Sequence, residues 1–233
     1  LYDVQDGIAI IPIAGTLVHK SGWIGAYSGM TGYDGIATLL RTARLDPDVK
    51  AIWLDIDSPG GETAGCFDLA DEIAAGSKRN GGKPVWAMVN EMACSAAYAL
   101  ASGADKIYGT RTSISGSIGV YILYVDMTDA LSQDGLKVTF FREYDLKARG
   151  NGLEPMDEET AKKLQSSVAY TADLFTRTVA NNRAGKLTIA GIKAMRSQWF
   201  DGPQALQLGL VDGVMSELEA FAKLQRSLKR AGA

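Results

Sequence analysis

Between Gly7 and Gly150, short apolar runs rich in β-branched residues alternate with stretches of helical periodicity, and this decides the fold class. The runs are GIAIIPI (7–13), KAIWLDI (50–56), PVWAMV (84–89), DKIYGT (105–110), IGVYILY (118–124) and KVTFF (137–141). Each has the length and composition of a buried strand. In YDGIATLLRTARL, helical spacing puts Ile36, Leu39, Leu40 and Ala43 on one face. In TAGCFDLADEIAAG it groups Ala64, Phe67, Ala70 and Ile73, with a stop near Gly76. Strands alternating with helices predict an α/β domain built on a largely parallel sheet.

After Gly150 the pattern becomes helical. The stretch from Asp157 to Arg183 has no breaker until Gly185 and carries Leu164, Val168, Leu174, Phe175 and Val179 at helical spacing. Acidic residues open it and Arg183 lies near its end, as the helix dipole favours. FDGPQALQLGLVDGVMS then reads as a turn, a helix and a short strand. We expect one domain over 1–214 and, over 215–233, an amphipathic helix serving as a surface or oligomer-contact element rather than a membrane-binding one.

Composition excludes several classes of function. The net charge of −3 over 233 residues leaves no basic footprint for nucleic acid. The longest uncharged apolar stretch, GIAIIPIAGTLV, is too short to span a bilayer, and no secretory leader is visible. Cys66 and Cys94 lack metal-ligand spacing, and with one histidine no metal or other cofactor is expected. Both cysteines read as reduced packing residues. His19 reads as a surface or strand-end residue, and Glu62 and Asp68 as helix-surface charges. Asp55 and Asp57 alternate along one strand, so they share a face.

Four segments remain that could carry chemistry. DSPGGETAG (57–65) follows a strand, and its proline and glycines suit a turn that aims bare N–H groups into a cleft; an ordinary strand-to-helix turn would look the same. In NEMACSAAYALASG, Ser95 falls at a strand-to-helix junction. A serine there is commonly only an N-cap, or else a nucleophile facing a helix N-terminus. TSISGSIGV (112–120) offers Ser113, Ser115 and Ser117, each readable as a turn residue. FREYDLKARGNG (141–152) offers Lys147, and taken alone a lysine is usually surface charge.

Taken in order, DSPGG (57–61), ACSAAYALASGADKIY (93–108), GSIGV (116–120), LKARGN (146–151) and FDGPQALQLGLVD (200–212) resemble the signal peptide peptidase A family of serine peptidases. SGMTGYDGI (28–36) and LDIDSPGGETAG are most similar to its tailed-phage head-protease branch. The resemblance implies a ClpP/crotonase-like fold with repeated β-β-α units and helical C-terminal elements. It implies Ser95 as nucleophile, Lys147 as general base and Ser117 as the hydroxyl orienting the lysine. Gly61, with Gly60 as the neighbouring candidate, and the Ala96 N–H would line an oxyanion hole. The implied substrate is polypeptide: scaffold or capsid-associated protein, or signal peptides in the bacterial branch. The implied assembly is a homo-oligomeric ring or dome. The implied setting is host cytoplasm or procapsid, membrane-associated only if an anchor precedes Leu1. A crotonase-like acyl-CoA enzyme or an idle assembly protein are the rival classes. The chain departs from the family pattern at Asp57, at the charged REYDLK approach to the lysine, and at Gly152. Glu143 and Asp145 are expected to turn away from Lys147, and Gly152 to make its loop flexible.

Overall fold

The computed structural model describes residues 1–22 and 26–231. The chain divides into two compact units, Leu1–Gly119 with Leu174–Ala233, and Val120–Asp173.

The first unit holds one mixed sheet. In chain order its strands are β1 (Asp3–Gln5), β2 (Ile8–Val18), β3 (Ala26–Tyr27), β4 (Met30–Gly32), β5 (Ala51–Gly61), β6 (Val85–Cys94), β7 (Lys106–Gly109), β8 (Ile114–Gly116), β9 (Trp199–Asp201) and β10 (Gly213–Val214). The path runs β10-β7-β6-β5-β2-β4-β3, with β1 on β2 and β8 bridging β6 and β9. The central pairs β2–β5, β5–β6 and β6–β7 are parallel. The architecture is that of the expected ClpP/crotonase-like fold, and four of the expected strands correspond to β2, β5, β6 and β7.

Helices α1 (Tyr33–Leu45), α2 (Cys66–Ala75) and α3 (Ala96–Ser102) cross between strands. The expected face of α1 is the buried one. Every residue of α3 is buried, and the Tyr98 hydroxyl donates to Leu210 O at 2.8 Å. Helix α4 (Thr128–Gln133) lies in the second unit, and α5 (Glu158–Asn182) begins there and ends in the first. Helices α6 (Ile189–Ala194), α7 (Gly202–Gln207) and α8 (Glu217–Ala231) complete the chain. Asp201 caps α7 by accepting from Gln204 N–H, and a proline sits in its first turn. That start fixes β9 beside β8.

Helix α8 is packed into the core. Ala220 and Leu224 are fully buried against Trp53, Trp86, Met88 and Tyr108, and Phe221 meets Trp53 edge-on at 5.2 Å. Its apolar face is thereby used within the chain. No described helix is long and apolar enough to cross a membrane.

Two sequence expectations fail in the second unit. IGVYILY (118–124) and KVTFF (137–141) form no strand. Tyr121 is 85% exposed, Leu123 77% and Phe141 96%. An apolar run becomes a strand only where a neighbouring edge supplies hydrogen bonds, and among the described residues none pairs with these.

Candidate functional site

The candidate site forms where the parallel strands end. Strand β6 stops at Cys94, and Ser95 turns the chain into α3 with φ 53° and ψ −125°. A non-glycine residue at such angles carries strain of about 1–3 kcal/mol. Ser95 does not cap the helix: its side chain makes no cap hydrogen bond. Its backbone is held from the other side, with Ser95 N–H donating to Gly116 O at 2.9 Å. Among the described residues its hydroxyl has no partner. The capping alternative therefore fails, and the strain holds a half-buried hydroxyl at the mouth of a helix.

The DSPGG turn packs directly on this junction. Ser58 is buried; its hydroxyl donates to Gly15 O at 2.7 Å and accepts from Gly60 N–H at 3.1 Å. Gly60 has φ 101° and lies against Ser95: a Cβ there would sit 2.7 Å from Ser95 Cβ and 2.9 Å from Ala96 N. Leu17 O accepts from Glu62 N–H at 2.9 Å. In a parallel ladder alternate N–H groups turn to opposite sides, which points the Gly61 N–H away from β2. Of the two glycines, Gly60 has its N–H spent on Ser58. Ala96 N–H lies in the first turn of α3, where N–H groups lack an intrahelical partner.

Ser117 sits next to this pair. Cys94 and Gly116 are register partners in β6–β8, so Ser95 and Ser117 each follow a paired residue. Ser117 also has φ 53° and is held by its N–H donating to Gln198 O at 2.8 Å. Ser113 is occupied within its own turn, its hydroxyl donating to Thr110 O at 3.1 Å. Ser115 is buried, with its hydroxyl unpartnered.

Both cysteines are free and buried. Burial pushes the Cys94 thiol up to about 11. Burial likewise pushes Cys66 up to about 12, where its Sγ lies 3.7 Å from Ala96 O. Thiolates are suppressed at both, and Cys94 is no rival to its neighbouring serine. His19 is exposed just past β2, its backbone N–H donating to the Glu62 carboxylate at 2.7 Å. Glu62 thus stands in the turn before α2 rather than on it, because α2 begins only at Cys66. Asp55 and Asp57 share a face as expected. Burial raises the Asp55 carboxyl, against an Asn90 amide that donates to it at 2.6 Å. No group of metal-ligating side chains occurs among the described residues.

Lys147 belongs to the second unit, and it is exposed. Its loop is stapled by Arg142, whose guanidinium donates to both Glu154 oxygens at 2.9 and 2.6 Å and to Lys147 O at 2.9 Å. Asn151 Nδ2 donates to Ala148 O at 2.6 Å and to Glu154 at 3.0 Å. Gly152 is buried at φ 82°, a Cβ there would meet Val125 O at 2.4 Å, and its own O accepts from Met127 N–H. Close approach of Val125 O explains the glycine. Glu143 and Asp145 are exposed and form no ion pair with Lys147.

Sequence reasoning missed Ser58, Arg142 and Glu154. Ser58 had a local signal, since a serine two residues before a glycine is the pattern of a hydroxyl bonding back to its own turn. The Arg142–Glu154 pair had none.

The model of Peptidase family S49 matches residues 77–231. The chain is 37% identical over 228 residues to the head-tail preconnector protein GP5 of Enterobacteria phage P21, covering 98% of this chain and 44% of that protein. It is 36% identical to the capsid assembly protease C of Escherichia phage lambda, covering 97% and 51%. Protease 4 of Haemophilus influenzae is 29% identical, covering 97% and 35%. Among solved structures, a mutant of the 1510-N membrane-bound stomatin-specific protease aligns with TM-score 0.57 at 16% identity, over 94% of this chain and 84% of that one, a likeness of fold alone. The chain spans about half the length of the two phage relatives.

Proposed function

The chain belongs to peptidase family S49, and from that premise we propose that it is a serine endopeptidase working through a Ser95–Lys147 dyad. The observation that carries this reading is the strained, uncapped Ser95 with its unpartnered hydroxyl beside the glycine turn. The Lys147 amine takes the Ser95 proton as Oγ attacks a peptide carbonyl. The amine then returns the proton to the leaving nitrogen, and water hydrolyses the acyl-enzyme. Gly61 and Ala96 N–H groups receive the oxyanion, and Ser117 orients the amine. A lysine acts as a base only where its ammonium is disfavoured by its surroundings. Lys147 is exposed in the single chain, so the reading requires a neighbouring copy or bound substrate to cover it.

Self-association also supplies a cover for Tyr121, Leu123 and Phe141, which otherwise present a large apolar surface to water. We read the protein as a homo-oligomer acting on scaffold or capsid-associated polypeptides in phage head assembly. The likeness to two phage proteins over nearly the whole chain supports this substrate class. The likeness to Protease 4 supports the second reading, degradation of signal peptides.

The test is cleavage of an unstructured polypeptide, read by mass spectrometry. Ser95→Ala and Lys147→Ala are each expected to abolish cleavage while circular dichroism stays native. Persistent cleavage by Ser95→Ala overturns the nucleophile. Cleavage that survives Lys147→Ala but not His19→Ala overturns the dyad.

A further inference from the structure

At the opposite end of the sheet, where β6 and β7 begin, the first unit carries a cluster of positive charge. A cleft of about 690 Å³ there is lined by Lys106, Lys186, Lys223, Arg226 and Arg230 over a floor of Trp86 and Tyr108. Lys223, Arg226 and Arg230 follow i, i+3, i+7 along α8, so they share one face. A second cleft of about 580 Å³ shares Trp86, Lys106 and Ser227 with the first and adds Lys50, Lys78 and Arg79. The two form one continuous cationic track in a chain whose net charge is −3.

The carboxylates that line the two clefts are committed inward. Asp212 lines the first cleft but pairs with buried Arg183 at 2.9 Å, pairs with Lys186, and accepts from Ile107 N–H. Asp105 lines the second and accepts from the backbone N–H groups of Lys78, Arg79 and Val85. Lys106, Lys223, Arg226 and Arg230 form no ion pair among the described residues. Lys223 lies 5.0 Å over the Tyr108 ring. The excess of charge is felt locally: burial, then Arg183, Lys106 and Arg79, push the Lys186 ammonium down to about 8. A concave surface with unspent cations and pre-committed carboxylates is complementary to an extended anion.

We propose that this track docks an acidic polypeptide segment of the protein substrate. Two observations favour that occupant. Trp86 and Tyr108 are 8% and 3% exposed, so they offer no open ring face for stacking single-stranded bases. The apolar stripe of α8 is consumed by the core, so the helix presents no apolar face to a lipid surface beyond the lone Leu218 at its start. Strand β6 spans from the track to Ser95, roughly 30 Å at about 3.3 Å per residue. A substrate held at both ends of one copy therefore needs about ten extended residues between its acidic segment and the scissile bond. The identity of the acidic segment as part of a substrate rests on the peptidase reading; the binding itself does not.

The experiment uses the Ser95→Ala chain and a fluorescein-labelled twelve-residue oligoglutamate, followed by anisotropy at low and moderate salt. Binding is expected to weaken with salt and to weaken at least tenfold in Lys223→Glu/Arg226→Glu. Reversing Lys162 and Lys163 on α5 instead is expected to leave it unchanged. No binding, or equal losses in both double variants, overturns the site. Tighter binding of a twelve-nucleotide oligothymidylate than of the oligoglutamate overturns the choice of polypeptide. With active chain, Lys223→Glu/Arg226→Glu is expected to raise KM for an acid-tagged substrate at least tenfold, with kcat and the cleavage of an untagged peptide unchanged. A KM that does not move overturns the substrate assignment.

Discussion

Replacing Gly60 by alanine tests the site where its tolerances are smallest. The added Cβ would stand 2.7 Å from both Cys94 O and Ser95 Cβ, and 2.9 Å from Ala96 N. Ordinary contact begins near 3.4 Å, so the turn and the start of α3 must part by roughly 0.7 Å. Neither side yields cheaply. The turn is tied to Ser58, and Ser95 to Gly116. Alanine at φ 101° adds strain of about 1–3 kcal/mol to the fold. The larger effect falls on rate. Displacements near 1 Å cost about 10²-fold, and loss of one oxyanion donor costs about 10²–10³-fold, or roughly 2.7–4 kcal/mol. Gly60→Ala is therefore expected to lower kcat about 10²–10³-fold with little change in KM, because the lost interaction belongs to the transition state. A quenched fluorescent peptide gives the rate, and denaturant unfolding reports the fold. Gly81→Ala is the control: it too has positive φ, at 88°, but a Cβ there meets nothing within 4 Å, so it pays backbone strain without losing rate. A folded Gly60→Ala enzyme within threefold of wild-type kcat refutes the close-approach argument.

Other expectations concern the frame. Asp212→Ala strands buried Arg183 and the Ile107 N–H, and should cost about 3–5 kcal/mol in urea unfolding; Asp212→Leu with Arg183→Met should recover most of that loss. Burial, then the charges of Arg183, Lys106 and Arg79, push Lys186 from the ordinary 10.5 down to about 8. From about pH 8 to 10.5 the unfolded chain holds a proton that the folded chain has lost, so stability rises with pH over that window. Lys186→Met should flatten the rise in pH-dependent melts. With both thiols raised well above pH 8, a disulfide reagent should label Cys66 and Cys94 only after denaturant is added. Rapid native labelling would contradict their burial.

Much of the frame was legible because local and global signals agreed. The pattern of YDGIATLLRTARL returns α1 at Tyr33–Leu45, since one apolar stripe meets one sheet face. The runs at 118–124 and 137–141 misled because periodicity reports apolarity, not the presence of an edge to pair with. Glu62 was placed on a helix because the residues after it are small and helix-tolerant, whereas α2 waits for Gly65 at φ 80°. Ser95 stood at a visible strand-to-helix junction, but whether it capped the helix depended on angles that no residue spacing encodes. Lys147 came from family resemblance alone, since nothing about a lone lysine marks it locally. The cationic track escaped the reading entirely. It gathers residues from six separate stretches, and a net charge of −3 averages it away.

Ser95 and Ser117 both occupy backbone that glycine would adopt freely. Stability and activity therefore pull in opposite directions at these two positions. Glycine at either relaxes the chain and removes a hydroxyl that the proposed mechanism uses. A library of this protein selected only for heat resistance would drift toward glycine at 95 and 117. On the proposed mechanism it would return better-behaved, silent molecules.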